Sequence, residues 1–258
     1  MSDCQLHEDD GIIELELNRP EAMNALSQSF LDEIITALQQ VQADPYARVL
    51  IIKSASHKAF CAGADLKERR QMNEDQVRAA VGKIRRTMNL VNELQIPTIA
   101  AIRGVALGGG FELALACDLR VVSETATIGL TETRLAIIPG AGGTQRLSRL
   151  IGVARAKNLI FTGRKLTGVE AYQMGIAEYL VTDVEVHQQA KALAKEIAQA
   201  GPIAIRQAKW AIDEGFAKPL VDGLAVEEAA YEQVINTEDR KEGLLAFAEK
   251  RKPKYLGR

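Results

Sequence analysis

Cysteine, histidine and tryptophan are scarce in this chain. Its three cysteines, Cys4, Cys61 and Cys117, are too widely spaced for a zinc-ligand pattern and odd in number for a disulfide framework. A reducing compartment is therefore expected. The three histidines, His7, His57 and His187, share no motif with a nucleophilic Ser or Cys, which leaves a Ser/His/Asp or Cys/His hydrolase without footing. No apolar run approaches the ~18–20 residues a membrane span needs. Neither sign of charge dominates: 32 Lys and Arg stand against 34 Asp and Glu, for a net charge of −2. That balance gives nothing to a non-specific nucleic-acid binder. Residues 1–10 are acidic and lack both the apolar core of a signal peptide and the Arg-rich face of a transit peptide, so the expected location is cytoplasmic.

What is present is ordinary globular material: 47% hydrophobic and 26% charged residues over 258 positions. A chain of this size buries about three-quarters of its unfolded surface and needs no metal to hold a core. Residues 11–17 alternate as a half-buried strand with Ile13, Leu15 and Leu17 on one face. Phe30, Ile34, Leu38 and Val41 recur at helical spacing after Ser27, a fitting N-cap. Residues 48–53, 97–102 and 119–122 read as buried strands, and 73–94 as a long helix with Val77, Val81, Ile84, Met88 and Val91 on its apolar stripe. This alternation predicts an α/β fold. Beyond about residue 185 the pattern is helical only (187–200, 202–216, 220–234 and 238–249), so an α/β body over 1–195 and a helical section over 196–258 are expected.

Three glycine-rich stretches could carry chemistry: FCAGADLKE from Phe60, GVALGGGFELALACD from Gly104, and IPGAGGTQRL from Ile138. A P-loop fails because no Lys-Ser or Lys-Thr pair follows the glycines; a dinucleotide fingerprint fails at Leu113 and at Gln145. Gly108-Gly109-Gly110 runs into a small apolar helix with no polar face, which must be buried. Its N-terminus offers bare N–H groups and a partial positive charge suited to a developing oxyanion. Glu112, in its first turn, is either a charge complementing the dipole or a carboxyl whose apolar surroundings tune it for proton transfer. Glu132, at the end of an apparent strand, reads on its own as a solvated loop charge. Asp118, just after the helix, reads as a structural hydrogen-bonding group.

Together, and in this order, these stretches resemble the enoyl-CoA hydratase/isomerase (crotonase) superfamily. The likeness extends from Asn18-Arg19-Pro20 and Asn24-Ala25-Leu26 to Phe247, Lys250 and Arg251. It implies a crotonase-like spiral of ββα turns followed by a helical trimerisation section, with homotrimers often paired into hexamers. It implies that the backbone N–H groups of Ala64 and Gly109 form an oxyanion hole for the thioester oxygen. Glu112 and Glu132 would share a water that adds across the double bond of a 2-enoyl-CoA. Ala25, Leu26, Ala62, Ala64, Asp65, Leu66, Lys67 and Gly109 would line the coenzyme A arm, with Phe247 and Lys250 lent by a neighbouring subunit. Lys67 could equally be a plain exposed charge. The implied partner is an acyl-CoA substrate, with no metal and no cofactor beyond the coenzyme A it carries.

Having both glutamates favours a hydratase over an isomerase, which manages with one acid. GLTETRLAIIPGAGGTQRL leans toward the methylglutaconyl-CoA hydratase branch, in which a lysine-studded early helix binds RNA. Here that helix carries Asp32 and Glu33 and no Lys or Arg, so nucleic-acid binding is not expected.

Overall fold

A computed structural model describes residues 3–258. The elements run β1 (Cys4–Asp9), β2 (Ile12–Leu17), α1 (Gln28–Ala43), β3 (Val49–Ser54), β4 (Ala59–Cys61), α2 (Leu66–Arg69), α3 (Glu74–Asn92), β5 (Thr98–Ile102), β6 (Val105–Leu107) and α4 (Gly109–Ala116). There follow β7 (Leu119–Ser123), β8 (Thr127–Gly129), α5 (Gly143–Ile151), α6 (Val153–Thr162), β9 (Leu166–Thr167), α7 (Gly168–Gln173), β10 (Tyr179–Val181), α8 (Val186–Ala198), α9 (Pro202–Phe216), α10 (Leu220–Ile235) and α11 (Glu238–Ala248).

The strands form two sheets. One has the order β1-β2-β3-β5-β7-β10, parallel throughout except for the β1–β2 hairpin. The other is β4-β6-β8-β9, with only β9 antiparallel. Each of the pairs β3–β4, β5–β6 and β7–β8 thus gives one strand to each sheet before the chain enters helix. Three ββα turns stack on one another, as the resemblance implied.

Local signals explain the placement of the elements. Ser27 caps α1 by accepting from the Phe30 N–H, and Asn73 and Gln76 form a reciprocal capping box at the start of α3. The alternation of β2 puts Leu15 and Leu17 into the main core, while Glu14 and Glu16 turn to the opposite face, where Lys53 pairs with both. β1 has no counterpart among the expected strands. Its sequence CQLHED alternates only across Cys4 and Leu6, which pack against the core, and it is an edge strand whose order comes from pairing with β2.

The helical section begins slightly later than expected. Position 195 falls inside α8, whose Val186, Ala190, Leu193 and Ala194 pack with Ile12, Val49, Ile51 and Ile99 against the larger sheet. The change of character comes just ahead of Pro202. Beyond it very little is buried: Pro202 in α9, Ala230 in α10, Asp239 and Ala246 in α11. A polar staple ties this section to the body. Lys209 on α9 donates to Asp118 Oδ2 at 2.8 Å and to the Ile96 carbonyl at 3.1 Å. The same Asp118 oxygen accepts from the Thr98 N–H and hydroxyl, in keeping with its structural reading.

Candidate active site

All eight residues of α4 are buried, and its N-terminus points into the wall of a notch. Close packing sets its position. A Cβ on Gly110 would lie 2.0 Å from the Cys61 carbonyl oxygen, so only glycine lets α4 press onto β4 at this point. That contact brings two loops together: a methyl on Gly109 would sit 3.7 Å from the Ala64 nitrogen and 3.2 Å from Leu26 Cδ1. Among the described residues, neither the Ala64 nor the Gly109 N–H has a protein acceptor. Two backbone donors from different spiral turns therefore face one small space.

The Ala64 loop is fixed from several sides. Leu26 and Ala64 form an isolated parallel bridge, with Leu26 N–H donating to the Gly63 carbonyl at 2.8 Å. Ala62 N–H donates to the Met23 carbonyl at 3.0 Å. Arg19 donates to the Ala25 carbonyl at 2.7 Å and to Asp65 at 3.0 Å. Asp65 also caps α2 through the N–H groups of Lys67 and Glu68, so its carboxylate is committed to shaping the loop. The caps and Arg19 hold that carboxyl below its usual range, despite the opposing effect of burial. Leu66 and Lys67 are exposed on the first turn of α2.

Both predicted glutamates converge on this notch. Glu112 is only 3% exposed, and its Oε1 accepts from the Ala141 and Gly143 N–H groups, each at 2.8 Å. Burial pushes its carboxyl above the ordinary value, opposed by those two donors and by the charges of Arg146 and Arg85. Glu132 opens a short 3₁₀ turn, Glu132–Leu135, after β8. That turn folds its carboxylate inward until Oε1 lies 3.2 Å from where a Cβ on Gly108 would stand. Its Oε2 is buried with no protein partner among the described residues. Burial lifts the Glu132 carboxyl to about 7, its own backbone N–H opposes the rise, and the Glu112 charge adds to it. The solvated reading of Glu132 is thereby excluded, since its Oε2 is buried.

These shifts carry a stability consequence. Below its ordinary value of 4.5 the Glu132 carboxyl is protonated in both folded and unfolded chains. Between there and about 7 the unfolded chain ionises first, so the folded state loses stability as pH rises through this window. Glu132→Gln removes the ionisation. Its melting temperature relative to wild type is expected to increase from pH 5 to pH 8, a trend scanning calorimetry can read; equal differences at both pH values would contradict the burial argument.

Phe247 is 86% exposed and Lys250 is exposed, so neither packs against the notch of its own chain. The sequence reading missed Arg146, which stands behind the loop that holds Glu112. It lies within the third glycine-rich stretch, but its bonds go to the Ala141 backbone carbonyl and to the side-chain oxygens of Asn89 and Asn92, which leave no trace in a charge pattern. Among the described residues no group of His, Cys, Asp or Glu gathers as a metal-ligand set, and no helix is long and apolar enough to cross a membrane.

A sequence model described as enoyl-CoA hydratase/isomerase matches residues 7–258. The chain belongs to the enoyl-CoA hydratase/isomerase family. It is 50% identical over 254 residues to the human mitochondrial protein named enoyl-CoA hydratase domain-containing protein 2, covering 97% of this chain and 87% of that one. Identity to the mitochondrial methylglutaconyl-CoA hydratase of mouse is also 50% over 254 residues, covering 97% and 81% of the two chains. Among solved structures of the family, the enoyl-CoA hydratase of Bacillus anthracis superposes with a TM-score of 0.98 at 52% identity, covering 99% of this chain and all of that one.

Proposed function

We propose that this protein is an enoyl-CoA hydratase, a hydro-lyase that adds water to a 2-enoyl-CoA thioester and yields the 3-hydroxyacyl-CoA. The observation that carries the reading is the convergence of Glu112 and Glu132 at the N-terminus of α4, beside the Ala64 and Gly109 amides. The thioester oxygen accepts hydrogen bonds from these two N–H groups. They stabilise the negative charge that builds on it as a water oxygen bonds to Cβ. One carboxylate takes the proton released by that water. The other carboxyl group gives a proton to Cα, so that the elements of one water are added in full and the enzyme returns to its starting protonation after exchange between the pair. Burial raises both carboxyls, and with one proton shared between them one can serve as base while its neighbour serves as acid. The reaction draws both hydrogens from water, so the proposal includes no metal and no redox cofactor.

The coenzyme A arm lies along the 62–67 loop, with Ala25 and Leu26 at its side. We place the protein in homotrimers or paired trimers on the strength of the apolar side chains that α9–α11 expose, including Ile212, Phe216, Leu220, Leu224 and Leu244. Phe247 and Lys250 then reach a neighbour's site. The test is direct: the purified protein is mixed with crotonyl-CoA and longer or branched enoyl-CoA thioesters while loss of the conjugated enoyl absorbance is followed. Turnover to the 3-hydroxy product is expected. No turnover with any thioester, or double-bond migration in a 3-enoyl-CoA without hydration, would overturn the reading.

A further inference from the structure

The turn that holds Glu112 is held in its own right from behind. Arg146, in the first half of α5, donates from Nη1 to the Ala141 carbonyl at 3.0 Å. Its Nε donates to Asn92 Oδ1 at 3.3 Å and its Nη2 to Asn89 Oδ1 at 3.2 Å. Arg85 adds a bond from Nε to the Gly140 carbonyl at 3.0 Å. Arg85, Asn89 and Asn92 recur at i, i+4 and i+7, so one stripe of α3 faces the turn. The residue that accepts from Arg146 is also one that donates to Glu112: the Ala141 carbonyl points to the guanidinium, and the Ala141 N–H to the carboxylate.

The turn is shaped around the guanidinium. Gly142 has φ +108°, and a Cβ there would lie 2.1 Å from Arg146 Nη1. Any side chain at this position would displace the arginine from the Ala141 carbonyl. The charges around Glu112 are the cations Arg146 and Arg85 and the anion Glu132; those around Arg146 are Glu112 and Glu93, with the Cys117 thiol nearby kept neutral by burial.

We propose that Arg146 is a positioning residue for hydration: through the Ala141 carbonyl it keeps two amide donors on Glu112 and so fixes that carboxylate beside the notch. This rests on the hydratase reading, and it assigns rate control to a residue that touches neither substrate nor water. Its positive charge also favours the ionised form of Glu112, which a purely mechanical tie would not do.

The experiment compares wild type, Arg146→Gln and Arg146→Lys in crotonyl-CoA hydration across pH. Arg146→Gln should lower kcat between about 10-fold and 100-fold, the scale expected for a displaced reacting group, while KM stays within about threefold. The acidic limb of its kcat/KM profile should move up by about 0.5 to 1 unit as an opposite charge is lost. Arg146→Lys, which keeps the charge but not the fork, should restore the limb while recovering kcat only in part. A folded Arg146→Gln with kcat within twofold of wild type and an unmoved limb would overturn the proposal. Should Arg146→Gln not fold, the double variant Asn89→Ala, Asn92→Ala releases the guanidinium at an exposed surface. It should lose kcat several-fold with the limb unmoved, and a wild-type rate would count against the proposal. A carboxyl 13C titration of Glu112 in wild type and Arg146→Gln needs no turnover. An inactive wild type would end the hydratase reading alone, whereas identical titration curves would end the role of Arg146.

Discussion

Replacing Glu112 by Gln should lower kcat for crotonyl-CoA hydration by about 10²- to 10⁴-fold, the range that positioned proton transfer supplies. Glu132→Gln should fall in the same range. Gln is nearly isosteric with Glu, and its carbonyl oxygen can still accept from the Ala141 and Gly143 N–H groups, so the 140–143 turn should keep its shape. What is lost is the capacity to take up or give up a proton. The loss should therefore fall on kcat, leaving KM close to wild type. The double variant should be little slower than either single one, since in the proposed mechanism the two acids share one proton and act as a unit. Steady-state kinetics on the three variants, with circular dichroism as the check on folding, decide the matter. A rate within tenfold of wild type in either single variant would contradict a paired-acid mechanism.

The second large effect should come from a position with no functional atom of its own. Gly110→Ala places a Cβ 2.0 Å from the Cys61 carbonyl oxygen and 2.8 Å from Cys61 Cβ. Backbone cannot yield as a flexible side chain does, so α4 must move away from β4. The helix carries Gly109, whose N–H then leaves its alignment with that of Ala64. Loss of one such donor typically costs about 10²- to 10³-fold in rate. Overpacking of this kind also costs about 1–3 kcal/mol of stability. The expected result is a folded protein, less resistant to urea, with kcat/KM reduced by two orders of magnitude or more. A near-normal rate together with a normal urea midpoint would show that α4 has slack the packing does not suggest.

Much of the architecture is legible in residue patterns because burial dictates them. Ser27 caps its helix where the sequence places it, and the four C-terminal helices begin and end within two residues of expectation. The hairpin partner β1 is not legible, since its order is borrowed from β2. Strands of three residues, such as β4, β6 and β8, are too short to display a period. At the site the contrast is sharper. Glu112 stands out as the only charge in an apolar helix. Glu132 looks like a loop carboxylate until a 3₁₀ turn folds it inward, and only the family resemblance singles it out beforehand. Ala64 and Gly109 present to the notch only amides that every residue possesses, so no side-chain pattern can announce them. Arg146 escapes notice for a related reason, as its tie to the site runs through a carbonyl.

Each of three successive rungs contributes to the notch: Ala64 follows β4, Gly109 follows β6, and Glu132 follows β8. None of them is near another in the chain, so no partial version of the site exists along the way. A nascent polypeptide emerging from the ribosome has no competence until the third rung lands on the second and the 140–143 turn closes over Glu112. The converse also holds in the finished molecule. A slippage of a fraction of an ångström between rungs would drain the rate long before any spectroscopic sign of unfolding.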